Sequence, residues 1–167
     1  MTTLLVQGCS DSKNRTTGAV PALELYTGYF FKIIHKSRGE KGGELAVDVC
    51  ILSAEHGLLD PETEIEPYDR RMDSERAAEL RPEVLSELTD RVAGTYDRVV
   101  VVGGAAYRAA LDGLADEVEA EVHYVRGDGI GEMGHKLKRF LNGDTAAIVD
   151  ETPDDNCDGG RSCAASD

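Results

Sequence analysis

A cysteine and a lysine four residues apart stand where the first apolar run of the chain breaks off, in "LLVQGCSDSKNR". Cys9 is the candidate nucleophile, and Lys13 brings positive charge close to it. Such charge, with the amide dipoles of a following turn, raises the thiolate fraction of a thiol. Ser10 and Ser12 are poor strand formers suited to capping a helix or binding an oxyanion, Asp11 is a candidate base, and Gly8 permits close backbone approach. Further along, "LSAEHGLLDP" offers Ser53, Glu55 and His56. His56 is a candidate proton shuttle near neutral pH, or else a residue that only caps its loop through a backbone hydrogen bond. "EPYDRRM" adds Tyr68, Asp69 and Arg70 in a segment long enough to fold over a crevice, and Tyr26 of "LYTG" joins the candidate substrate contacts. Gly103 and Gly104, directly after "RVVVV", open a helix whose first amides could hold a phosphate or a ring edge, or serve tight strand-to-helix packing.

These residues need a scaffold, and the hydrophobic pattern predicts an alternating one. Residues 3 to 8 read as a first strand, and "AVPALELYTGYFFKIIHKSR" as one helix with Leu23, Tyr26, Phe30, Ile33 and Ile34 on a face and Pro21 in its first turn. "LAVDVCILSA" is a second, central strand with Cys50 as a reduced core thiol, followed by the polar excursion "EHGLLDPETEIEPYDRRMDS", a long loop of the functional kind. "ERAAELRPEVLSELTDRVAG" reads as a helix restarted at Pro82. After it come a third strand "DRVVVVGG", a helix "AAYRAALDGL", a fourth strand "AEVHYV" and a helix "GEMGHKLKRFL". The expectation is therefore an α/β fold of three layers: a mostly parallel four-stranded sheet, order 2-1-3-4, with helices on both faces. In such sheets ligands sit beyond the carboxyl ends of the strands where the order reverses, here between "GCSDSK" and "GGAAY".

Composition bounds the partners. With 32 acidic and 18 basic residues among 167 the net charge is -14, which repels phosphate backbones in ordinary salt. The same acid-rich, aromatic-poor composition is that of halophilic proteins, for which molar salt shortens the Debye length to about 3 Å. The expected ligand is a small molecule, which a resemblance carried by the motifs implies to be a nucleotide or base, with nucleic acid bound only through a partner protein or at high salt. No apolar stretch of membrane-spanning length and no signal-peptide pattern occurs, so a cytoplasmic protein is expected. Residues 1–149 form the expected single domain and 150–167 an acidic flexible tail. Cys157 and Cys163 lie in that tail without a histidine, short of the ligand count of a structural zinc site, so no metal is expected. The G-x-G-x-x-G fingerprint is missing, and no cofactor is expected. His35, His123 and His135 read as structural or solvated.

The combination of "CSDSK", "LYTG", "ILSAEHGLLDP" and "EPYD" resembles the signature of an uncharacterised family of small prokaryotic and phage domains, over residues 4 to 142. More distantly, Cys9 followed by Lys13 resembles the Cys-x-x-x-Lys element of the archaeosine synthase catalytic domain, which acts on a nitrile-bearing deazaguanine in tRNA. The expected strand order resembles the uracil-DNA glycosylase-like superfamily. These resemblances imply a nucleobase- or nucleotide-modifying enzyme, a cysteine-dependent transferase or hydrolase. Cys9 would be its nucleophile, Lys13 its charge partner and His56 its proton shuttle. Two other readings use the same crevice: a non-catalytic nucleotide-binding or sensor module, and a glycosidic hydrolase in which Asp11 activates water.

Overall fold

The computed structural model describes residues 2–9, 18–40, 47–68, 70–125 and 129–144. Its central sheet takes β1 (Thr3–Gly8), β3 (Asp48–Ser53), β4 (Gly57–Leu59), β6 (Arg98–Val102) and β7 (Glu121–Tyr124) in the order β4-β3-β1-β6-β7. The pairs β3–β1, β1–β6 and β6–β7 are parallel, and β4 pairs antiparallel with β3. A separate two-stranded ladder joins β2 (Val20–Pro21) to β5 (Glu64–Ile65).

Every residue of β1 and β6 is buried, which requires cover on both faces of the sheet. The helices supply it in two groups. α2 (Tyr29–Glu40) packs with α6 (Ile130–Leu141), while α3 (Ser74–Val92) packs with α4 (Ala105–Ala110) and α5 (Leu114–Glu117). Right-handed crossovers put the two groups on opposite faces, because the connection from β1 to β3 runs one way across the sheet and those from β3 to β6 and β6 to β7 run the other. In β1, Gly8 looks toward Tyr107 of α4, so Leu5 and Gln7, of opposite parity, look toward the α2–α6 layer. The register extends that face to Ile51 of β3, the partner of Gln7, and hence to Ser53 two residues on.

Several expectations are corrected. The sheet has five strands, not four, so its order departs from a bare 2-1-3-4. The added strand is Gly57–Leu59, inside the stretch read as a loop. Three residues are too few to display a two-residue period, and Gly57 makes the reversal by adopting φ +78°. β5, from the same stretch, anchors the remainder of it to β2.

The first helix is also two pieces. α1 (Ala22–Leu25) ends at Tyr26, whose backbone is extended (φ -84°, ψ 134°), and Pro21 is its N-cap. The break lets the Tyr26 ring stack on Phe31 at 5.1 Å and turn its hydroxyl inward; Phe31, not Phe30, becomes the fully buried aromatic of α2.

Pro82 does not interrupt α3, which runs through it and buries Ala77, Leu80, Val84, Leu88 and Val92 along one stripe. Tertiary burial of that stripe outweighs the missing backbone donor. The helix after β6 splits instead at Gly113, held at φ +91°. Cys50 is a fully buried free thiol, as its apolar run requires. Among the described residues no helix is long and apolar enough to cross a membrane.

Candidate active site at the carboxyl edge of the sheet

β1 and β6 are neighbours whose outgoing connections leave in opposite directions, and the carboxyl ends of such a pair are where open α/β sheets place their binding crevice. Cys9 stands at that point. Its amide donates to the Leu52 carbonyl at 2.9 Å, extending the β1–β3 ladder one residue past the strand and fixing the thiol at the edge. The residue is 9 % exposed, and its Sγ lies 3.0 Å from the Tyr107 hydroxyl.

Two glycines make that contact. A Cβ on Gly8 would lie 2.9 Å from the Tyr107 ring, and one on Gly103 would lie 2.9 Å from the Tyr107 Cβ. The tyrosine therefore crosses the ends of β1 and β6 at a closeness that no side chain there would allow, carrying its hydroxyl from the α4 layer to Cys9. Gly103 is accordingly occupied by packing. Gly104 is the exposed N-cap of a six-residue helix.

A second group of hydroxyls meets Cys9 from the α2 side. Tyr68 lies 2.6 Å from the Tyr26 hydroxyl and 2.8 Å from Ser53 Oγ, and it also faces the Cys9 thiol. Ser53 Oγ accepts from the amides of Glu55 and His56, both at 3.1 Å. Those two bonds use its lone pairs, so its own proton goes to the tyrosine pair, and one phenolic proton of that pair is left to donate onward. Burial pushes both phenols up. Tyr26 rises to about 12 by desolvation, countered by its hydrogen bonds to Ser53 and Tyr68 and reinforced by Cys9. Tyr68 is pushed further in the same direction by desolvation and then by negative charge on Cys9. At neutral pH both are proton carriers in their neutral form.

The sequence-derived candidates fall into three sets. Cys9, Tyr26, Ser53 and Tyr68 converge. His56 and Glu55 flank them: the His56 ring stands edge-on to Tyr68 at 5.5 Å and 88°, its amide does cap the turn, and the Glu55 carboxylate points away to Arg70 at 3.6 Å. Ser10, Asp11, Ser12, Lys13 and Asp69 lie outside the described residues, as do Cys157 and Cys163. Tyr107 went unrecognised in the sequence. Its signal was a glycine at the end of each of two adjacent strands, with a tyrosine one helical turn after the second.

Outside Tyr68 and His56 runs a groove of about 570 Å³, lined also by Glu55, Glu64 and Glu66, whose charge disfavours phosphate on that side. A hollow of about 610 Å³ opens at the opposite, amino end of the sheet near Thr2, Tyr96 and Asp97; among the described residues no cysteine, serine or histidine lines it. Among the described residues no three metal-binding side chains gather.

Fold and site together define a mixed α/β domain, with a mostly parallel sheet and a thiol-bearing crevice at its carboxyl edge. The chain belongs to a family of unknown function, DUF6884, whose model matches residues 4–139. No curated protein matches it. Among solved structures it is similar to AF0587, described as a protein of unknown function, with a TM-score of 0.51 and 18% identity over 83% of this chain and 44% of that one. The likeness is one of fold, and this chain spans less than half of its counterpart.

Proposed function

We propose that the protein is a cysteine-dependent enzyme acting on a nucleobase or nucleotide, in a pathway of deazaguanine or tRNA modification. The observation that carries the reading is the Cys9 thiol fixed at the crevice within hydrogen-bond reach of Tyr107 and facing Tyr68. A thiol so placed is a nucleophile with proton carriers at hand. The step that fits is addition to a carbon–nitrogen multiple bond. Sγ forms a bond to the electrophilic carbon, and the π electron pair moves to nitrogen. A tyrosine hydroxyl protonates that nitrogen, and the thiol proton returns to the tyrosine by way of the hydroxyl chain or His56. The product is a thioimidate, formed with no leaving group. Attack by an amine on that carbon then expels the thiol and leaves an amidine, a transferase product; attack by water with loss of ammonia leaves a thioester, and a second water frees the thiol and an acid, the hydrolase outcome. The resemblances to the archaeosine synthase catalytic domain and the uracil-DNA glycosylase-like superfamily support a base as the target. Lys13 and Asp11 enter this reading as charge partner and auxiliary base.

Incubation with a nitrile-bearing deazaguanine, followed by intact mass, tests it. The expected result is a mass gain equal to the whole base, lost in Cys9→Ser. An unmodified wild-type protein, with Cys9 reacting with iodoacetamide no faster than free cysteine at the same pH, would overturn it. A binding or sensor module is the second reading, favoured by the 9 % exposure of Cys9. In that case Cys9→Ser keeps ligand affinity and no covalent adduct forms.

A further inference from the structure

Gln7 is 1 % exposed, lies in β1 two residues before Cys9, and has an orphaned atom. Its Nε2 donates to the carbonyls of Gly8, at 3.2 Å, and Val102, at 3.5 Å. Its Oε1 is buried without a hydrogen-bond partner. The two carbonyls fix the orientation, because turning the amide over would set its oxygen against both of them. They also place the group on the boundary between β1 and β6, where the crevice lies. A buried acceptor with no donor costs stability, and native chains keep such groups where something else supplies the donor.

We propose that Gln7 reads the ligand of the Cys9 crevice: its Oε1 accepts a hydrogen bond from a ring N–H or exocyclic amine of a bound nucleobase. The inference rests on the base-directed reading above and narrows it to bases that present a donor edge. Residues 7 and 9 are about 6.6 Å apart along the strand, a span that one flat heteroaromatic ring bridges with a contact on each side. A donor read by Gln7 and a carbon presented to Cys9 thus belong to opposite edges of the same ring. The arrangement is a specificity device. A site built to receive a donor rejects a ligand lacking it, since the buried acceptor then stays unpaired.

The test is protection of Cys9 from iodoacetamide, read by intact mass, with hypoxanthine and uracil as probes and 1,9-dimethylhypoxanthine and 1,3-dimethyluracil as their donor-blocked counterparts. The expected result is that at least one unblocked base protects the wild type and its methylated counterpart does not. Gln7→Leu should then weaken protection about tenfold, the loss of one buried hydrogen bond, with little change in Tm, since the orphaned acceptor is removed together with the long bonds Nε2 gives to two carbonyls. Protection unchanged in Gln7→Leu overturns the role of Gln7 and leaves the base site standing. A wild type protected by none of the probes overturns the base-directed reading, and this inference with it. Should Gln7→Leu lower the Tm, Gln7→Met becomes the arbiter. Protection by the unblocked base equal to that of the wild type in Gln7→Met, or an ordered water bonded to Oε1 with a probe base bound elsewhere, makes the amide a structural group and overturns the proposal.

Discussion

The Tyr107 hydroxyl meets Cys9 Sγ at 3.0 Å after crossing the ends of two strands from the opposite face of the sheet. A thiolate formed at Cys9 would take the phenolic proton as a charge-assisted hydrogen bond, about 1.5–3 kcal/mol. Tyr107→Phe keeps the ring on its two glycines and deletes only that bond. The expected outcome is a fall of at least about tenfold in the rate of Cys9 alkylation at neutral pH, with a Tm within a few degrees of the wild type. An alkylation time course on the two proteins, followed by intact mass, checks it.

Gly8 and Gly103 are the other half of that contact. An added methyl at either lies 2.9 Å from Tyr107, well inside van der Waals contact, with backbone on one side and a packed ring on the other. Gly8→Ala is expected to cost about 1–3 kcal/mol, the usual penalty of overpacking, and to displace the hydroxyl. Its alkylation rate should then match that of Tyr107→Phe. The double variant should be no slower than either single one, since both remove the same bond. Urea denaturation gives the stability change, and the labelling assay gives the non-additivity.

The parallel part of the scaffold was legible because buried strands write themselves as continuous apolar runs: "LLVQG", "DVCILS" and "RVVVV" are β1, β3 and β6. The edge strand β4 was not, since Gly57–Leu59 holds too few residues for any period and sits amid acidic, turn-forming neighbours. The break at Tyr26 was hidden for a related reason. Its apolar spacing continues that of the helix, and only the need of a buried phenol for a partner pulls it into the extended conformation. In the site, Cys9, Ser53 and Tyr68 were legible as polar residues at strand ends or in a long loop. Tyr107 was not, because the two glycines that mark it stand far apart in the chain and become neighbours only once β1 and β6 are known to pair.

Burial also sets an alkaline limit. Cys50 is pushed from its ordinary 9.0 to about 12, with desolvation the largest cause, and Tyr26 from 10.0 to about 12 for the same reason. Both groups fold in the protonated form and ionise more readily when unfolded. Their contribution is complete below the unfolded values and is lost as pH rises through the folded ones, a window of about pH 9 to 12. The urea midpoint should therefore fall steadily above pH 9. Cys50→Ala, though less stable overall from its cavity, should show a shallower decline from pH 9 to 10, below the ordinary value of the raised tyrosines Tyr26, Tyr68 and Tyr96. Parallel slopes for the two proteins would contradict this.

Ser53 ties the turn after β3 to the tyrosine pair, and its two tasks can be separated. Ser53→Ala strips the acceptor from the amides of Glu55 and His56 and a hydroxyl partner from the tyrosine pair, whereas Tyr68→Phe removes only the phenolic end. The serine change should cost about 1–3 kcal/mol, the penalty for leaving partly buried donors unmatched, and the tyrosine change less. The double-mutant cycle should return a coupling of about 0.5–1.5 kcal/mol, the size of one neutral hydrogen bond. The functional readout should rank them the other way if Tyr68 carries the proton. Tyr68→Phe would then stop adduct formation at Cys9 while remaining the better folded of the two. Adduct yield by intact mass, set beside urea midpoints for the same proteins, decides between a relay and a purely structural hydroxyl.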